Sequence, residues 1–105
     1  MVDMNDIRRL AKNGAFQWTD HVRERLDERG IAQSEAEFVA VNGEIIEQYP
    51  SDYPFASCLV LGATINGHFM HVVCAIGKEE LWMITAYYPD PKKWSKDFRF
   101  RKENE

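Results

Sequence analysis

A chain of 105 residues with 45% hydrophobic side chains has the material for one core and one domain, 1–105. Its formal net charge of −4 argues against a surface built to hold nucleic acid throughout, and no DNA is predicted as a partner. No apolar run approaches the ~20 residues that span a bilayer, and the start, MVDMNDIRRLAKNG, lacks the apolar centre of a signal peptide, so a cytoplasmic protein is expected.

Between Asp3 and Lys12, Ile7, Leu10 and Ala11 recur at helical spacing and Asn13-Gly14 supplies a stop, which predicts a short amphipathic helix. Phe16-Gln17-Trp18 reads as a brief extended link. Thr19 then suits an N-cap, Asp20 is favoured by the helix dipole, and a second helix runs to about Arg29 before Gly30. Trp18, Val22 and Leu26 form its buried stripe, while His21, Arg25 and Arg29, spaced by four, line the shoulder of that stripe. Ser34-Glu35-Ala36-Glu37 has the capping-box pattern and opens a third helix, with Phe38, Val39 and Val41 as its apolar side and Asn42-Gly43 as its end.

Glu44 to Tyr49 reads as a first strand, and Pro50 and Pro54 bracket a surface loop. Ser57 to Ile65, His68 to Ile76 and Leu81 to Tyr88 complete a four-stranded antiparallel sheet. Pro89-Asp90-Pro91 ends pairing, because Pro cannot donate to a ladder. The remainder, KKWSKDFRFRKENE, offers a turn at Trp94 and an edge strand at Phe98 to Arg101, which would make the sheet five-stranded. Helices followed by strands predict an α+β fold, with the N-terminal helices on one face of the sheet.

Asn66-Gly67 between apolar runs predicts a two-residue hairpin turn, which sets Leu61 opposite Val72 and Gly62 opposite His71. A four-residue loop, Gly77 to Glu80, sets Val73 opposite Ile84 and His71 opposite Ala86. By alternation, one face then carries Leu59, Leu61, Ala63, Met70, Val72, Cys74 and Met83 and suits the helices. The other carries Gly62, Phe69, His71, Ala86 and Tyr88, leaving a niche over the imidazole. Cys58 and Cys74 fall on opposite faces in this register and read as small buried thiols. His68 and His71 also point to opposite faces, so no metal or other cofactor is expected. Glu44 and Glu47 likewise diverge, which leaves no carboxylate pair for hydrolysis.

The pattern Thr19-x-His21-x-x-x-Arg25-x-x-x-Arg29-Gly30-Ile31, then Gly43-Glu44-Ile45-Ile46-Glu47-x-Tyr49-Pro50, Leu61-Gly62, His71-Val72-Val73 and Ile84-Thr85-Ala86-Tyr87-x-Pro89-Asp90-Pro91-x-x-Trp94 resembles the small prokaryotic domain-of-unknown-function family numbered 4258. The resemblance covers about residues 16–101. That family looks like a relative of the RelE and BrnT toxins, which implies a RelE-like fold, RNA as substrate, and a small antitoxin-like protein as partner.

Metal-free RNA cleavage needs a base for the 2′-OH, an acid for the leaving oxygen and cations on the phosphate. His71 or His21 would serve as base or acid, Tyr88 as proton donor or stacking group, and Arg25 as a phosphate holder. Arg29, Arg99, Arg101 and Trp94 would bind substrate. The charge distribution divides the readings. Residues 34–90 hold one basic and eight acidic groups, which favours a non-catalytic protein-binding module, whereas residues 91–105 hold six basic and three acidic groups, which favours RNA.

Overall fold

The computed structural model of the chain describes residues 1–102. Three helices, α1 (Met4–Lys12), α2 (Asp20–Glu28) and α3 (Gln33–Asn42), pack on one face of a mixed five-stranded sheet. Its strands are β1 (Phe16–Gln17), β2 (Glu44–Tyr49), β3 (Ser57–Ala63), β4 (Phe69–Gly77) and β5 (Glu80–Tyr87), in the order β1-β5-β4-β3-β2.

The helix ends obey local chemistry. Asp3 caps α1 by accepting from the Asn5 N–H at 2.6 Å, and Thr19 caps α2 by accepting from Val22 at 3.2 Å. α3 begins earlier than its capping-box pattern implied. Ala32 is its N-cap, Glu35 reaches back to the Ala32 N–H, and Glu37 instead accepts from the Trp18 indole at 2.8 Å. The buried side of α3 is Ala36, Val39 and Ala40 rather than Phe38, Val39 and Val41. Small residues there let the helix approach the sheet closely.

The sheet departs from the expected all-antiparallel form at its edges. The link Phe16-Gln17 is itself an edge strand, parallel to β5 with Phe16 opposite Leu81. The C-terminal segment does not join the sheet as an edge strand. It forms a hairpin with a single bridge between Trp94 and Arg101, and it folds over the face opposite the helices.

Two register differences decide what faces where. The β3–β4 loop has three residues, Ile65-Asn66-Gly67, with Thr64 N–H donating to the His68 carbonyl at 2.8 Å and only Gly67 left-handed at φ 84°. Leu61 therefore opposes His71, and Gly62 opposes Met70. Cys58, Val60, Met70, Val72 and Cys74 form the helix-covered core, while Leu59 and Leu61 lie beside His71 on the other face. Cys58 and Cys74 directly oppose one another, with their Sγ atoms 3.9 Å apart, contrary to the expected divergence.

The β4–β5 turn keeps the expected register, through a two-residue turn in which Lys78 and Glu79 are both left-handed. A bulge at Ile84 then shifts it, so His71 opposes Tyr87 and Ala86 turns into the helix-covered core.

Candidate functional site

His71 lies in mid-β4 and is fully buried, between Leu61 of β3 and Tyr87 of β5. Its Nε2 stands 2.9 Å from the Phe98 carbonyl oxygen, which can only accept, so Nε2 carries the proton. Nδ1 is then the acceptor for the Tyr87 hydroxyl at 3.2 Å. Both nitrogens are satisfied in one tautomer. The Trp94 ring meets the imidazole edge-on at 4.4 Å between centroids, and Tyr87 does so at 5.3 Å. Burial holds the imidazole pKa below its ordinary value and outweighs the Phe98 carbonyl and Glu47, which act the other way.

The cover over this face is the hairpin from Lys93 to Lys102. It is closed by Lys102 N–H to the Lys93 carbonyl at 2.9 Å and by Ser95 N–H to the Phe100 carbonyl at 2.7 Å. Arg101 fastens it to the sheet: its Nε and Nη2 each lie 3.1 Å from the Glu47 carboxylate, and its guanidinium carbon sits 4.7 Å over the Trp94 ring. Arg99 pairs with Glu44 and with Asp97. Glu44 and Glu47 share this face because Ile46 is an extra residue in β2, a bulge that undoes simple alternation.

Burial pushes the Glu47 carboxyl up. The hydrogen bonds from Arg101 and Tyr49 outweigh it and hold that carboxyl below its ordinary value. Burial and the bond to Glu47 push the Tyr49 hydroxyl up to about 12. The tail's two arginines are therefore engaged by the carboxylates of β2.

Of the residues singled out in the sequence, His71, Trp94, Arg99 and Arg101 come together. Tyr88 does not join them: the Ile84 bulge gives its place to Tyr87, and Tyr88 stands 45% exposed with its ring 6.4 Å from that of His68. Arg29 is fixed at the β5 margin, donating to the Thr85 hydroxyl and the Ala86 carbonyl, both at 2.9 Å. His21 and Arg25 are exposed on α2, and among the described residues no hydrogen bond joins them to the His71 cluster.

Tyr87, Glu44, Glu47 and the Phe98 carbonyl were not anticipated as members of the cluster. Arg99 and Arg101 stand out in the sequence as arginines of a basic tail. Their acidic counterparts were hidden by the β2 bulge.

These contacts define a small α+β domain whose one buried histidine is sealed by its own C-terminal hairpin. The chain belongs to the family described as a domain of unknown function (DUF4258), whose profile matches residues 18–88. No match to the chain was found among curated proteins or among solved structures. The matched span contains His71, Tyr87, Glu44 and Glu47 and ends before Trp94, Phe98, Arg99 and Arg101.

Proposed function

We propose that this chain is a protein-binding module with a RelE-like fold, working through a cognate antitoxin-like partner rather than through chemistry at His71. The observation that carries this reading is the internal satisfaction of the cluster. Both imidazole nitrogens are bonded, and Arg99 and Arg101 are spent on Glu44 and Glu47. A ribonuclease needs an imidazole that a 2′-OH can reach and cations free to meet phosphate. Large apolar side chains meanwhile stand exposed on the sheet or on the segments that border it, among them Phe69, Ile84, Tyr88 and Phe100, as expected of a surface awaiting a protein.

A second reading, a toxin-like RNA endonuclease acting without metal, is favoured by one feature. His21 and Arg25 are exposed along the helix that ends at Arg29, beside the β5 margin, and the C-terminal hairpin adds Lys93, Lys96 and Lys102.

Induced expression in bacteria separates the two readings. Growth and RNA integrity are followed for the native chain and for His21→Ala, Arg25→Ala and His71→Ala, each checked for folding. Co-purification with a co-expressed small antitoxin-like protein is measured in parallel. The binding-module reading expects intact RNA and a stoichiometric complex. Growth arrest with shortened RNA, relieved by His21→Ala or Arg25→Ala, overturns it in favour of the nuclease.

A further inference from the structure

A pocket of about 180 Å³ opens on the same sheet face as the His71 cluster, at the end nearer the Pro50–Ala56 loop. Its lining includes the packed aromatic side chains of Phe55 and Trp82. Phe55 lies so tightly over Gly77 that a Cβ there would run into its ring, and its own ring centre is 6.3 Å from that of Trp82, inclined by 32°. The Trp82 indole is held by the Gly77 carbonyl at 3.3 Å. Tyr53, which is 94% exposed, also lines it. Beside it is Asp52, whose Oδ2 accepts from the Ser57 hydroxyl, leaving Oδ1 for a ligand. The extra residue of the β5 bulge, Ile84, forms an apolar shoulder at 45% exposure.

Several features narrow the occupant. The pocket is smaller than the ~300 Å³ at which sites for whole small-molecule ligands begin, so it suits one side chain. A carboxylate beside aromatic faces selects a cation. A guanidinium fits best, because its plane stacks on rings while its fork of donors meets a carboxylate, which a lysine ammonium cannot do. The chain's formal net charge of −4 agrees in sign.

We infer that this pocket receives an arginine side chain of a partner polypeptide, with Asp52 accepting from the guanidinium, Trp82 and Phe55 beneath it, and Tyr53 closing over it. The apolar residue next to that arginine rests on Ile84. The inference rests on the binding-module reading only for the source of the arginine. The pocket's selectivity is measured on the isolated chain, whatever the expression experiment gives.

The test is a titration of the full chain followed through the Trp82 indole N–H resonance, assigned with Trp82→Phe. The probe is acetyl-Leu-Arg-Leu-amide, compared with its citrulline analogue and with free arginine amide. The expected result is a saturating shift of the Trp82 signal by the arginine peptide. Asp52→Asn, which keeps the Ser57 bond but removes the charge, should weaken binding about tenfold, the scale of one charge-assisted hydrogen bond. Tyr53→Ala should weaken it about threefold, the scale of an exposed cation–π contact. Equal binding of the citrulline peptide overturns the cationic assignment, and equal binding of free arginine amide overturns the polypeptide source. An unmoved Trp82 signal overturns the site itself.

Discussion

Replacing His71 discriminates between a histidine that builds the fold and one that awaits a substrate. His71→Ala removes a fully buried ring, so part of the cost is a cavity among Leu61, Tyr87 and Trp94. It also strands the Phe98 carbonyl and the Tyr87 hydroxyl, each costing about 1 kcal/mol or more once unpaired in the interior. The edge-on contacts with Trp94 and Tyr87 add roughly 0.5–1.5 kcal/mol each. Allowing for partial collapse and for water reaching the tyrosine, the loss should be about 3–4 kcal/mol, a large share of a stability of about 5–15 kcal/mol. His71→Phe keeps an aromatic ring, adds some volume and loses both hydrogen bonds, so at least about 2 kcal/mol is expected. Urea unfolding followed by tryptophan fluorescence measures both. A cost below about 1 kcal/mol for His71→Ala, or a neutral His71→Phe, refutes a structural role for the imidazole. Either result would mean that the hairpin does not seal the imidazole in solution, and the catalytic role would then regain its footing.

Acid should destabilise the fold through the same residue. An unfolded imidazole titrates near 6.5 and burial lowers the folded value, so stability is lost as pH falls below about 6.5, by at most ~1.4 kcal/mol per pH unit for one proton; urea midpoints across pH 5–8 should show this slope and His71→Phe should flatten it. Glu47, whose carboxyl is held low, acts in a separate window, with stability lost below about pH 4.5 in both proteins. Gly43→Ala should cost roughly 2 kcal/mol in the same assay, because a Cβ there would stand 2.5 Å from the Leu61 carbonyl and 2.7 Å from the Val39 carbonyl, and backbone cannot step aside. Cys58 and Cys74 are both fully buried, and the hydrogen-bonding contact with Cys58, together with burial, pushes the Cys74 thiol up, so a thiol reagent should label neither in the native chain and both in urea.

The elements that local chemistry determines were legible. Asp3, Thr19, Asn13-Gly14 and Gly30 place the ends of α1 and α2, because caps and stops act within one turn of chain. β2 from Glu44 to Tyr49 is likewise found where the apolar pattern and the prolines put it. Facing was the hard part, since one residue of slip reverses it. Asn66-Gly67 pointed to a two-residue turn, whereas the chain uses Ile65-Asn66-Gly67 and asks only Gly67 to be left-handed. That single residue carried Leu59 and Leu61 to the His71 face and set Cys58 opposite Cys74. The bulges at Ile46 and Ile84 had no local signature. Together they brought Glu44 to the same face as Glu47 and exchanged Tyr88 for Tyr87.

The C-terminal hairpin is the remaining step, because it decides whether His71 belongs to a cleft or to a core. The hairpin places Phe98 at φ 61°, a left-handed conformation that costs a side-chain-bearing residue about 1 kcal/mol, and its carbonyl is what meets the imidazole. The same segment places Trp94 against the ring, Arg101 across Trp94 onto Glu47, and Phe98 5.4 Å from Phe69. Strain of that size persists only where surrounding contacts exceed it, and these contacts are of that kind: a buried hydrogen bond, aromatic packing and a bidentate ion pair. The hairpin is therefore structural to the sheet rather than an appendage to it. The family match ends at Tyr88, but the physical domain extends through Lys102, because without those residues Leu59, Leu61 and His71 would lose the cover that makes a neutral, doubly bonded imidazole stable there.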